Sequence, residues 1–238
     1  YAGDTSVSES VADPAHYYDR NVTRAVTLFD ALVKSGVGRF VYSSSASVYG
    51  TPAVTPIDED QPLRPISPYG RTKLIVEQFL GDLDRAHATR HVSFRYFNAA
   101  GCTPARGERH TPETHLSPNV LRAARGESGA ITVFGDDHAT PDGTAIRDYI
   151  HVSDLADAHA RALTHLRDGG PSHALNLGTG AGHSVLDVIE SARRVTGRTI
   201  PIVRAPRRAG DPAKLVARVE RVREVLGWEA RYTSLDAI

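Results

Sequence analysis

The sequence predicts an α/β protein built on a parallel sheet, and three observations carry that reading. Short apolar runs alternate with longer segments whose apolar residues recur at helical spacing. The runs at 40–44 and 91–97 are rich in the β-branched and aromatic residues that strands favour. A helix-length segment separates them, and crossovers of that length join parallel neighbours in a right-handed sense. With 238 residues the chain can bury a sizeable core in one or two domains.

Taken in order, residues 1–3 read as the end of a strand. Segment 14–34 reads as a helix through Val22, Ala25, Val26, Phe29 and Leu32, stopped by Gly36. After the strand at 40–44, segment 51–65 is a loop rich in proline and acid. The spacing predicts a helix over 68–86 with Leu74, Ile75, Phe79, Leu80 and Leu83 as its buried stripe. From about Cys102 the texture changes, and a long polar loop, 103–118, opens a smaller mixed region. There the expected helices are 118–125, 154–166, 184–196 and 219–226, the last stopped by Gly227. The expected strands are 131–134, 146–152, 174–177 and 200–204. No internal repeat or low-complexity tract interrupts this order.

Composition narrows the function classes. The 28 basic residues balance the 28 acidic ones, so nothing points to nucleic acid or a polyanionic partner. No apolar run is long enough to span a bilayer, and no signal peptide is evident. A single cysteine, Cys102, leaves no internal disulfide framework and fits a reducing, cytoplasmic compartment. The 11 histidines show no helical ligand pair, and no metal site is expected.

The chemistry concentrates in Ser67-Pro68-Tyr69-Gly70-Arg71-Thr72-Lys73. A tyrosine and a lysine four apart on a helix share a face. A free phenol titrates near ~10, too high for a base at neutral pH. A fixed ammonium nearby lowers that value and lets the phenolate take a proton from a sugar hydroxyl. Some twenty residues upstream, Ser43, Ser44 and Ser45 stand where the strand of Phe40-Val41-Tyr42 ends. Ligands of open α/β sheets sit at the carboxyl ends of strands, where a serine hydroxyl can bond a substrate oxygen.

Together, Ser43-Ser44-Ser45-Ala46-Ser47-Val48-Tyr49-Gly50 and the Tyr69 run resemble the extended short-chain dehydrogenase/reductase family, and within it the nucleotide-sugar 4-epimerases. The resemblance continues through Arg95-Tyr96-Phe97-Asn98, Asp142-Gly143 to Val152, Asn176 to Gly180, and Arg207 to Asp211. It implies a Rossmann-type parallel sheet over 1–101 and a smaller mixed α/β substrate domain over 102–238, with 145–180 returning to the first. Relatives open with a glycine-rich turn for the dinucleotide pyrophosphate, and Gly178-Thr179-Gly180-Ala181-Gly182 lacks its spacing. With no methionine, the chain therefore reads as a fragment lacking roughly the first third of a nucleotide-binding domain.

The activity so implied is NAD-dependent inversion at C4 of a UDP-hexose, UDP-galactose to UDP-glucose, through a transient 4-keto sugar. A UDP-pentose, a UDP-N-acetylhexosamine or a non-catalytic binding role stands as the alternative. The resemblance makes Ser45, Tyr69 and Lys73 catalytic and places Ala2, Gly3, Asn21, Tyr69, Lys73 and Phe97 at the cofactor. Ser45, Tyr96, Asn98, Leu116, Arg147, Arg208 and Asp211 fall to the substrate, and Leu215 to the sugar pocket. His115 departs from an asparagine common in the family. Ala46 and Ser47 stand where a 4,6-dehydratase needs an acid pair, so elimination of water lacks its groups. A homodimer formed partly by 16–34 and 68–86 is the remaining family expectation.

Overall fold

A computed structural model describes residues 3–208 and 211–238. Three parallel strands form the first sheet: β1 (Arg39–Ser45), β2 (Arg90–Tyr96) and β7 (His173–Leu177), with β2 in the centre. Register sets Ser45 beside Tyr96 and Tyr96 beside Leu177, so the carboxyl ends of all three strands lie level.

Helices cover both faces. Period-two alternation turns Phe40 of β1 toward α3 (Arg24–Lys34) and α4 (Pro68–His87), where it packs with Phe29, Leu32, Val76, Leu80 and Leu83. Val92 and Phe94 of β2, with Leu175 and Leu177 of β7, pack on the other face. They meet Leu155, Ala158, Ala162 and Leu166 of α6 (Val152–Arg167), Val222 of α8 (Glu220–Leu226), and Trp228. Pro68 at the first turn and a Ser67 side-chain cap on the Gly70 N–H start α4.

A second layer lies beyond. Strands β4 (Ile131–Phe134) and β9 (Ile202–Ala205) pair in parallel, covered by α5 (Leu116–Ala124) and α7 (Val185–Thr196) around Val120, Val133, Ile189 and Ile200. Between the layers, β5 (Ile146–Arg147) pairs with β8 (His183–Ser184) and β10 (Lys214–Leu215), while β3 (Asn98–Ala100) pairs with β6 (Tyr149–His151).

Three expectations need correction. The strand expected over 146–152 is broken at Asp148, whose buried carboxylate accepts the N–H groups of Thr179 (2.7 Å), Gly180 (3.0 Å) and Ala217 (3.1 Å). Segment 178–182 is therefore a loop ordered by an acid. Gly3 lies in a bend, not a strand, and Tyr1 and Ala2 fall outside the described residues. The fully buried face of α4 is Tyr69, Thr72, Lys73, Val76, Glu77, Leu80 and Leu83, with Leu74, Ile75 and Phe79 half-buried. Apolar periodicity found Leu80 and Leu83 but missed the rest of that face, which carries a lysine and a glutamate. Residues 14–34 are helical as expected, α2 (Pro14–Tyr18) running through one wide turn at Asp19–Thr23 into α3, and a short helix α1 (Val7–Ala12), capped by Ser6, precedes them.

Phe94 is fully buried at the centre of the larger core. Phe94→Ala is expected to lower unfolding free energy by about 3–5 kcal/mol, read as a fall in urea midpoint with an unchanged slope.

Candidate active site

Ser45 ends β1 and caps the single 3-10 turn Ala46–Tyr49, its Oγ accepting the Ser47 N–H at 3.1 Å. The first turn of α4 lies directly against that turn. A Cβ on Gly70 would stand 2.6 Å from the Ser47 carbonyl oxygen, so only a glycine next to Tyr69 permits the approach. Tyr69 is thereby brought to Ser45. Burial pushes the Tyr69 phenol above its ordinary value, and a side-chain hydrogen bond with Ser45 pulls it back.

Lys73 lies one turn along the same face. Its Nζ donates to the Ser43 carbonyl oxygen at 2.9 Å and sits 5.7 Å from the centre of the Tyr69 ring and 5.3 Å from that of Tyr42. The Ser43 carbonyl of β1 thus holds the ammonium near both rings. Burial lowers Lys73 to about 8, and Glu77 opposes that shift.

The N-terminal segment approaches the same place. Asn21 is buried in the wide turn and engages the backbone of Asp4 in both directions, at 2.9 and 3.0 Å. Its Nδ2 also reaches the Thr72 hydroxyl at 3.4 Å. A side chain on Gly3 would collide with Asn21, its Cβ 2.8 Å from Oδ1 and 4.0 Å from Lys73 Nζ. Asn21 thus clamps a side-chain-free backbone beside Lys73. Tyr96, level with Ser45, donates to Ser43 Oγ at 3.0 Å and lies 2.7 Å from His159 Nε2.

The remaining candidates group separately. Exposed Asn98 opens β3, its N–H on the Asp148 carbonyl oxygen at 2.9 Å. Phe97 and Leu215 pack on the cluster of Ala46, Val48, Tyr49 and Ile57, directly after Ser45. Leu215 pairs with Arg147 in the sheet, and Arg147 forms an ion pair with Asp211. The two expected substrate contacts, Arg147 and Asp211, are thus partners of each other. Arg208 stacks its guanidinium 4.0 Å over the Phe134 ring, a platform that sequence reasoning missed because Phe134 reads as an ordinary strand residue. Leu116 begins α5 and packs half-buried on the second core, with His115 before it offering no side-chain cap.

Sequence reasoning also missed a buried polar network behind the serine strand. Arg95 donates to both Glu77 oxygens (2.7 and 3.2 Å), to the Tyr49 hydroxyl (2.9 Å) and to the Glu59 carbonyl oxygen (3.2 Å). Ser44 donates to Glu77 as well, and Tyr49 donates to Asn176 at 2.7 Å. A glutamate four residues after Lys73 on one helix face was the available signal. Among the described residues no cluster of side chains could hold a metal ion.

Fold and site together define a parallel α/β protein with a serine, a tyrosine and a lysine gathered at the carboxyl edge of its central strands. The family model for the NAD dependent epimerase/dehydratase family matches residues 1–178. The chain belongs to that family. A UDP-glucose 4-epimerase of Streptococcus mutans serotype c is 47% identical over 240 residues, covering 100% of this chain and 72% of that protein. The crystal structure of a UDP-glucose 4-epimerase from Brucella ovis in complex with NAD superposes with a TM-score of 0.97 at 47% identity, over 100% of this chain and 74% of that one. A UDP-glucose 4-epimerase from Bifidobacterium longum, in complex with NAD+ and UDP, gives 0.94 at 41% identity, over 100% and 72%.

Ser45 is the group that opposes the upward shift of Tyr69. In Ser45→Ala the acid limb of the pH–rate profile is therefore expected to move to higher pH, with a lower plateau, when turnover is followed across pH.

Proposed function

We propose that this chain inverts C4 of a UDP-hexose, interconverting UDP-galactose and UDP-glucose through a transient 4-keto sugar, with NAD as its resident cofactor. The observation that carries the reading is the convergence of Ser45, Tyr69 and Lys73 at one strand end. Relatives named UDP-glucose 4-epimerase, among them the Brucella ovis and Bifidobacterium longum structures in complex with NAD, support it.

The residues present fit the nicotinamide–ribose end of a dinucleotide. The bare backbone at Gly3 runs beside Lys73, and Ser43 takes one of the three donors of that ammonium, leaving donors for a ribose hydroxyl. Gly3, Asn21, Tyr69, Lys73 and Phe97 would hold the cofactor. NAD, when bound, supplies the oxidation and re-reduction at C4, so the reaction leaves no net redox change.

The chain's own groups move the proton and hold the sugar. Tyr69 Oη, as phenolate, accepts the proton of the 4-hydroxyl and returns it to the opposite epimer. Ser45 Oγ bonds the 4-oxygen and steadies it during that transfer. Lys73 provides the nearby positive charge that a buried phenolate requires. Arg147 and Arg208 take the pyrophosphate, for which a guanidinium fork is suited, and Asp211 the ribose. Asn98 contacts the phosphate side and the main chain at Leu116 the uridine. A 4,6-dehydratase reading lacks support, since Ala46 is buried and Ser47 supplies no carboxyl.

The same reading takes 1–101 as the cofactor domain and places the protein in the cytoplasm, in keeping with the lone, exposed Cys102. No helix among the described residues is long and apolar enough to cross a membrane. The same reading includes a homodimer through α3 and α4, with Leu28, 53% exposed on α3, in its interface. Leu28→Glu is expected to halve the molar mass measured by light scattering.

The direct test is conversion of UDP-galactose to UDP-glucose. Tyr69→Phe is expected to reduce turnover by at least about 10²-fold with bound NAD retained. Wild-type turnover in that variant would remove Tyr69 from the proton path.

A further inference from the structure

We infer that Asp211 makes this site read its nucleotide as a unit: without a ligand its carboxylate is the counter-ion of Arg147, and only a diphosphate that displaces it frees it for the ribose. The inference rests on the placement of the diphosphate at Arg147 and of the ribose at Asp211 given above. It adds that the two subsites cannot fill independently.

Arg147 is presented by β5, the middle strand of a three-stranded sheet, between Leu215 of β10 and His183 of β8. Its side chain is only 12% exposed. Nη1 donates to the Ile146 carbonyl oxygen at 2.7 Å, and Nη2 donates to Asp211. Asp211 is the one acid paired with Arg147 among the described residues. The Asp211 N–H donates to the Arg208 carbonyl oxygen at 3.2 Å, so the carboxylate is carried on the turn that begins at Arg208. Arg208 is held independently, by its stack on Phe134. Two cations and one acid therefore meet where the diphosphate and the ribose are placed.

A guanidinium so little exposed needs an anion, and Asp211 supplies one. A diphosphate needs the same fork. It cannot share it, because a phosphate on Arg147 Nη2 would stand in contact with the carboxylate, and like charges repel. Asp211 therefore leaves Arg147 as the diphosphate arrives. The freed carboxylate only accepts hydrogen bonds, which suits the paired hydroxyls of a ribose. Without a phosphate, a ribose would have to exchange a charge-assisted bond for bonds from its neutral hydroxyls, which are weaker. Ribose recognition is thus conditional on the diphosphate, and by linkage the coupling is reciprocal. A nucleoside that lacks phosphate is disfavoured by the same contact.

Titration calorimetry of this chain with inorganic pyrophosphate and with uridine reads the coupling without turnover. In the wild type, saturating pyrophosphate is expected to tighten uridine binding by about fivefold or more. Asp211→Asn keeps the size and removes the charge. That variant is expected to bind pyrophosphate more tightly than the wild type, and its affinity for uridine should no longer respond to pyrophosphate. Asp137→Asn removes an acid from the neighbouring Arg207 instead and is expected to keep the wild-type coupling. Uridine affinity that ignores bound pyrophosphate in the wild type overturns the inference and leaves the phosphate placement standing. Weaker pyrophosphate binding in Asp211→Asn, or loss of coupling in Asp137→Asn as well, also overturns it. If pyrophosphate binds neither the wild type nor Asp211→Asn, the placement of the diphosphate at Arg147 falls, and the inference with it.

Discussion

Everything at this site depends on the fixed register between β1, α4 and β2. Parallel pairing sets Ser45 level with Tyr96, and the buried Glu77–Arg95 pair ties the helix between those strands to both of them. Buried ion pairs are poor sources of net stability, because desolvation offsets most of the attraction. They are, however, intolerant of misplacement, since a displaced partner leaves a bare charge in a low dielectric. The pair therefore acts as a register pin. With it in place, α4 cannot slide along the sheet, and Tyr69 and Lys73 stay at the strand end.

The second half of the chain is joined to this frame by another buried acid. Asp148 gathers the N–H groups of Thr179, Gly180 and Ala217, while its own carbonyl receives Asn98. The loop after β7, the strand carrying Leu215 and the strand after Phe97 thus converge on one residue. Arg147, its neighbour, is presented beside Leu215 and Asp211. Ser45, Tyr69 and Lys73 come from one half of the chain and Arg147 and Arg208 from the other, and each half is ordered by a buried carboxylate.

Much of this was legible in the residues. Helices α3, α4 and α6 and strands β1, β2 and β7 follow from apolar spacing, because their cores are made of ordinary aliphatic and aromatic contacts. The Tyr69–Lys73 spacing and the serine strand marked the site. What escaped is what periodicity cannot carry. Apolar spacing found only Leu80 and Leu83 on the buried face of α4, because its other members include the polar Lys73 and Glu77. Strands β3, β5, β8 and β10 are two or three residues long and exist through tertiary pairing alone. The Arg147–Asp211 pair joins residues 64 apart in the chain, and the Arg208–Phe134 stack joins two secondary-structure neighbourhoods, so neither leaves a local trace.

The central claim is that one site removes and restores hydrogen at the same carbon, with Tyr69 handling only the hydroxyl proton. UDP-galactose carrying deuterium at C4 tests this most directly, with the product followed by NMR in ordinary water. The account predicts UDP-glucose that still holds the deuterium at C4. Loss of the label to solvent, or its appearance at another carbon, would contradict it.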